Sequence, residues 1–216
     1  MEEKKAFQGY SSRGEAPRPV EMQQPDEQLV RLAQRGDIGA VSALYTRYQR
    51  KLLNYLYRLT GDRALAEDLT QETFLRVVKH LPSYRPTGSV AGWIFRIGKN
   101  LALNSFRDRK SLREVSLEEP ATDSEEGVTQ EQMIPHKGPG PDREAGTRET
   151  EAQIQQALLK LPPVFREALI LCDIQGYAYK EVAEALECSI NTVASRLARA
   201  RSKMAELLGY LKKEIL

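Results

Sequence analysis

The chain is poor in the residues that build disulfide scaffolds and metal centres. Its 216 residues include two cysteines, Cys172 and Cys188, and two histidines, His80 and His136. Two cysteines cannot make a disulfide framework, which points to a reducing, cytoplasmic setting. Zinc takes clustered ligands, and these four side chains are scattered, so no metal is expected. No apolar run approaches the length of a membrane-spanning helix, and the opening stretch MEEKKAFQGYSSRGEAPRP lacks the apolar centre of a signal peptide, so no membrane contact is expected. Phosphate-binding loop, nucleophile elbow and dinucleotide fingerprint are all missing. These absences point away from an enzyme, and the reading assigns no catalytic residue and no cofactor. No stretch alternates apolar and polar residues with period two, which leaves an all-α fold.

What is present is segregated charge. The formal net charge is only +2. Between Trp93 and Arg113, however, Arg96, Lys99, Arg107, Arg109, Lys110 and Arg113 face Asp108 alone. Between Glu114 and Glu151 eleven acids outnumber Lys137, Arg143 and Arg148. A basic segment, an acidic connector and a basic C-terminal helix suggest nucleic-acid contact at two places.

Helical periodicity divides the chain into two small domains. Residues 1–25 read as a disordered tail. Residues 26–113 read as a bundle of four helices, with Asp26 capping the first and Gly36 ending it. The second starts near Ile38, carries a stripe that includes Leu44, Tyr45, Tyr48, Leu52, Tyr55, Leu56 and Leu59, and stops at Gly61. Asp62 caps the third, which runs to His80 before Pro82. The fourth runs from Val90 to Arg113 with Gly98 inside it, at a cost of about 1 kcal/mol against alanine, which suggests close packing there. Residues 114–148 read as a flexible acidic linker. Residues 149–216 read as a four-helix unit whose last two helices, broken at Glu187-Cys188, form a helix-turn-helix.

In that motif Ser189 caps the final helix. Ile190, Val193, Leu197, Ala200 and Met204 share its inner face. Asn191, Thr192, Ser195, Arg196 and Arg199 share the other, a distribution suited to a major groove. The fourth helix of the first domain interleaves Trp93 and Phe106 with Arg96, Lys99 and Arg107, and adds Asn100 and Asn104. Aromatic faces stack on exposed bases and cations follow phosphates, which suits a melted strand. The alternative at this point is that Trp93 and Phe106 are core residues and the charges a solvated face. Tyr84, Arg85 and Ser89, in the preceding loop, are placed to hold a flipped base. Asp68, Gln71, Glu72 and Arg76 share a face of the third helix. Without histidine or a second carboxylate cluster, that face reads as a docking surface rather than a metal site.

The succession of AEDLTQETFLRV, YRPTGSVAGWIFRIGKNLALNSFRDRK and LPPVFREALILCDIQGYAYKEVAEALECSINTVASRLARARSKM resembles the extracytoplasmic-function class (group IV) of bacterial RNA polymerase sigma factors, in the sigma-70 family. The resemblance covers about Asp26 to Arg113 and Glu151 to Leu208. It implies region 2 in the first domain and region 4 in the second. Asp68, Gln71, Glu72, Phe74 and Arg76 would then form or support the surface that docks on the β′ clamp coiled coil of core polymerase. Tyr84, Arg85 and Ser89 would line a base-capturing loop, and Trp93, Arg96, Asn100, Asn104 and Arg107 would follow the melted non-template strand of the −10 element. Asn191, Thr192, Ser195, Arg196 and Arg199 would face the duplex −35 element. The β flap and an anti-sigma factor are the further partners the resemblance implies. Ala194 and Ala198 stand where the family often carries larger or basic side chains, so the promoter sequence does not carry over. A conventional helix-turn-helix repressor, binding duplex DNA as a dimer, is the competing class.

Overall fold

The structure, a computed structural model, describes residues 24–85, 88–116 and 141–209. Among them there is no strand. The helices are α1 (Asp26–Gln34), α2 (Ile38–Thr60), α3 (Arg63–His80), α4 (Val90–Ser116), α5 (Pro141–Lys160), α6 (Pro163–Leu169), α7 (Tyr179–Leu186) and α8 (Ile190–Leu208). The tail to residue 23 and residues 117–140 of the acidic connector lie outside the described residues. α4 continues past Arg113 to Ser116, and α5 begins at Pro141, inside the segment expected to be linker.

Local chemistry sets most boundaries. Gly61 adopts φ 76° at the end of α2, a left-handed conformation that glycine reaches without Cβ strain. Asp62 then caps α3, accepting from the Leu65 amide at 3.0 Å. Asp37 caps α2 through the Ala40 amide at 3.2 Å. Asp26 does not cap α1 as expected. The cap position is Pro25, and the Asp26 carboxylate turns to the Arg47 guanidinium and the Tyr48 hydroxyl on α2. A charge-assisted bond to a guanidinium outweighs one to a single exposed amide.

In the N-terminal half, Leu52, Tyr55, Leu56 and Leu59 of α2 pack against Ile94 and Phe95 of α4, all buried. Gly98 permits this approach, since a methyl group there would lie 2.9 Å from Leu52 Cδ1 and 3.4 Å from Thr73 Oγ1. In the C-terminal half, Leu158 and Leu161 meet Ile170, Leu171, Val182, Val193 and Leu197. The two sets form one continuous apolar cluster, so the halves are packed together in the free chain.

Their seam runs along α4, on which α7 packs, and along α2, whose carbonyls take side chains from the C-terminal half. Arg166 donates to the carbonyls of Leu59 at 2.5 Å, Leu159 at 2.6 Å and Leu161 at 2.9 Å. Gln155 reaches the Tyr57 and Arg58 carbonyls at 3.4 Å, and Gln175 the Lys51 carbonyl at 2.7 Å. Tyr57, Arg58 and Leu59 belong to the last turn of α2, where the Tyr57 carbonyl also accepts from the Gly61 amide at 2.8 Å and where a cation is favoured. Phe95 sits between Tyr55 and Tyr177, edge-on to both, with centroids at 5.3 and 5.0 Å. Five buried polar atoms of this seam, on Tyr55, Gln155, Arg166, Gln175 and Tyr177, have no hydrogen-bond partner.

α6 ends in a π-turn, Ile170–Ile174, where the Gln175 amide donates to Ile170 O at 3.0 Å and the Tyr177 amide to Leu171 O at 3.0 Å. Gly176, at φ 75°, then turns the chain into α7.

Candidate nucleic-acid interface

The helix-turn-helix is α7 and α8. Val182, Ala183, Ala185 and Leu186 of α7 and Val193, Leu197 and Ala200 of α8 bury their shared side. Ile190, expected on that inner face, is instead 49% exposed. The turn residue Glu187 takes φ 54° and ψ 47°, the left-handed conformation usual for glycine. Ser189 caps α8, accepting from the Thr192 amide at 3.1 Å.

The five −35 candidates separate into two groups. Asn191, Ser195 and Arg199, at successive steps of four, are exposed along one line. Thr192 and Arg196 are half-buried. The Thr192 hydroxyl lies 2.8 Å from that of Ser189, and Arg196 Nη1 lies 3.9 Å from Cys188 Sγ. Arg201, one of the basic residues of this stretch, is held by Asp173 through two bonds of 2.8 and 2.7 Å. The carboxylate beside it raises its pKa further.

Along α4, Trp93, Arg96, Asn100, Asn104 and Arg107 recur at three and four residues and line one face. Asn100, Asn104 and Arg107 are exposed; Trp93, Arg96 and Phe106 are half-buried. Trp93 therefore belongs neither wholly to the core nor wholly to solvent. It stacks on Tyr84, with centroids 4.1 Å apart and planes at 27°. Arg85, next in the chain to Tyr84, is exposed. Ser89 caps α4, its hydroxyl accepting from the Gly92 amide at 3.0 Å. Burial, and then the charge of Glu184, push the Tyr84 phenol above its usual range.

Sequence reasoning missed two carboxylates that meet this region, one on α7 and one in the turn after it. Glu184 accepts from the Ser89 amide at 2.5 Å, and Glu187 accepts from Lys99 Nζ at 3.0 Å. Lys99 is 6% exposed, so its ammonium is almost wholly within the seam. No periodicity in either half signals these pairs.

On α3, Asp68 and Gln71 are exposed, and Glu72 pairs with Arg76 at 2.8 Å. Phe74 is buried, edge-on to Tyr45 with centroids 4.8 Å apart, and so supports the face rather than forming it. Two exposed apolar residues, Leu75 at 48% and Tyr45 at 41%, adjoin that face. Tyr45 was expected in the inner stripe of α2. Its neighbour Leu44 takes that place, with Tyr45 at the rim. Among the described residues no group of His, Cys, Asp and Glu is placed to hold a metal ion, and no helix is long and apolar enough to cross a membrane.

An exposed polar and basic line on α8 and an aromatic-basic face on α4 thus lie in the two halves of the chain. The family model for Sigma-70 region 2 matches residues 44–112, and that for Sigma-70, region 4 matches residues 151–204. The ECF RNA polymerase sigma factor SigE of Mycolicibacterium smegmatis is 36% identical over 177 residues, covering 81% of this chain and 65% of its own length. The RNA polymerase sigma-H factor of Pseudomonas aeruginosa is 33% identical over 194 residues, covering 89% of this chain and 98% of its own. Among solved structures, a sigma factor RpoE bound to the anti-sigma factor NepR from Bartonella quintana aligns with TM-score 0.57 and 27% identity, over 76% of this chain and 94% of that one. CnrH, in complex with the cytosolic domain of CnrY, shares the fold with TM-score 0.64 at 23% identity, over 87% and 99%. The chain belongs to the extracytoplasmic-function group of the sigma-70 family of RNA polymerase sigma factors.

Proposed function

We propose that this chain binds core RNA polymerase in the cytoplasm, directs it to promoters with −35 and −10 elements, and nucleates strand opening. The observation that carries the reading is the pairing of an exposed polar and basic line on a capped recognition helix with a separate aromatic-basic face on α4. Asn191, Ser195 and Arg199 meet the −35 duplex directly. Thr192 and Arg196 sit behind them and position the helix. The Tyr84–Trp93 stack and Arg85 receive an unstacked base of the −10 element. Arg96, Asn100, Asn104 and Arg107 carry the strand beyond it. Asp68, Gln71, Glu72 and Arg76, on the Phe74 platform, dock on the β′ clamp coiled coil, and the C-terminal half meets the β flap. The chain does no covalent chemistry of its own, so opening is driven by binding the melted strand. The NepR complex of the Bartonella relative supports an anti-sigma factor as a further partner.

Transcription with purified core polymerase on a promoter library, with permanganate probing of opened bases, tests this reading. Specific transcripts with opening near a −10 element are expected. Tight site-specific duplex binding without polymerase, and no transcripts with it, would identify a conventional repressor. Arg199→Ala should weaken −35 binding and lower its salt dependence, while Trp93→Ala should leave duplex binding intact and reduce opening.

A further inference from the structure

Arg201 stands apart from the other cations of α8. Its Nε and Nη2 donate to the two carboxylate oxygens of Asp173 at 2.8 and 2.7 Å, a charge-assisted grip at two points. Arg199, two residues earlier, is exposed on the −35 line. At roughly 100° per residue the two are set about 160° apart around the helix axis. Arg201 is thus turned to the π-turn at Ile170–Ile174, which carries Asp173, and away from the line of Asn191, Ser195 and Arg199.

The rest of α8 is lightly held. Of its 19 residues, Val193, Leu197 and Ala200 are buried, while Met204, Leu207 and Leu208 are half-buried. Apolar contact has no direction, so this narrow stripe sets the rotation of α8 about its own axis only loosely. A planar guanidinium on both oxygens of a carboxylate fixes distance and angle together. On the other side of the buried stripe, Arg196 Nη1 lies 3.9 Å from Cys188 Sγ, a weaker tie. Asp173 and Arg201 both belong to the C-terminal half, so their grip does not depend on the seam with the N-terminal half.

We propose that Asp173 is a positioning residue for −35 recognition: through Arg201 it sets the rotation at which α8 presents Asn191, Ser195 and Arg199 to base edges, and neither member of the pair touches DNA. This rests on the functional reading above and deepens it. Hydrogen bonds to base edges weaken steeply as their angle departs from linear. A small roll of α8 therefore costs affinity and discrimination, while the charge offered to phosphates stays the same. Were Arg201 instead a phosphate contact, Asp173 would compete with DNA for it, and the two roles predict opposite effects of removing the carboxylate.

The test uses the full chain with core polymerase, on duplex promoter DNA carrying the −35 sequence that the transcription library selects. Asp173→Asn, Arg201→Ala and Arg201→Lys are each expected to bind about fivefold more weakly. The slope of affinity against salt should stay at its wild-type value. The margin between the selected −35 sequence and single-base-pair changes should narrow. Asp173→Asn combined with Arg201→Ala should be no weaker than either alone, as expected for two residues acting as one unit. Arg201→Lys is the sharpest variant, because an ammonium still serves a phosphate but cannot span both carboxylate oxygens. The side chains of Arg201 and Asp173 are 57% and 32% exposed, and exposed ion pairs add little to stability, so Tm should stay near wild type. Tighter binding by Asp173→Asn, wild-type binding by Arg201→Lys, or a salt slope reduced by about one in Arg201→Ala would overturn the proposal. Equal losses on selected and altered −35 sequences would also overturn it, since that is the mark of a pair that only supports the fold. If the wild-type chain selects no −35 sequence, the functional reading fails and this proposal with it; a defect confined to the variants' salt slope or discrimination bears on the pair alone.

Discussion

The Arg166 guanidinium donates to the Leu59 carbonyl at 2.5 Å, so the last turn of α2 is completed by a side chain from the other half of the molecule. The same group holds the Leu159 and Leu161 carbonyls where α5 ends. Burial lowers its pKa from the usual arginine range, as expected of a cation surrounded by backbone.

Arg166→Ala leaves those three carbonyls without their donor. A loss of about 3 kcal/mol is expected, readable as a lower Tm of the full chain. Arg166→Lys keeps the charge but not the planar fork and should fall between the two.

Glu167, next to Arg166, is buried, and burial raises its pKa; Lys99, Arg196 and Arg166 act in the opposite direction. Tyr55 faces it, and its phenol is pushed up by burial and then by Glu167. A carboxyl with a raised folded-state pKa stabilises the fold fully below its ordinary value of 4.5, and that contribution is lost as pH rises through the folded-state value. Denaturant titrations across this window should show wild-type stability losing that contribution as pH rises. Glu167→Gln should flatten the profile and be the more stable protein on the neutral side.

Gly98→Ala gains about 1 kcal/mol of helix propensity but forces a methyl group against the buried Leu52 and Thr73, where overpacking costs about 1–3 kcal/mol. Net destabilisation is expected by thermal unfolding. An unchanged or higher Tm would show that Leu52 moves aside freely.

Ser189→Ala removes the cap of α8 and should cost about 1 kcal/mol locally. The expected signature is faster amide exchange in the first turn of α8 and weaker −35 duplex binding, with binding of a −10 single strand unaffected. Equal loss at both elements would mean the cap supports more than its own helix.

Helix boundaries were legible wherever one or two adjacent residues decide them. Gly61-Asp62 ends one helix and caps the next through bonds that span three or four residues, and both were readable from residue type. The Asn191, Ser195 and Arg199 line, and the α4 face through Asn100 and Asn104, followed from helical spacing in the same way. Asp26 was misread because its carboxylate serves Arg47 and Tyr48 on α2, 21 and 22 residues away, rather than an amide of its own first turn. Nothing in the sequence signalled the contacts that Glu184 and Glu187 make. Those contacts depend on α7 lying against α4, with Ser89 and Glu184 far apart in sequence, and on Gly88 and Gly92, whose meaning is set by what packs on them. No local pattern encodes which face of one half meets the other.

The π-turn at Ile170–Ile174 adds a residue to a helix that would otherwise close in register. Each residue of an α-helix turns the chain by roughly 100°, so this turn acts as an angular offset between α6 and everything after it. In that phase Gln175 meets the Lys51 carbonyl and Asp173 meets Arg201. Deleting one residue there would restore an uninterrupted helix while rotating the helix-turn-helix out of alignment with α4. The two DNA-reading halves are thus indexed to one another by a single residue of helical pitch.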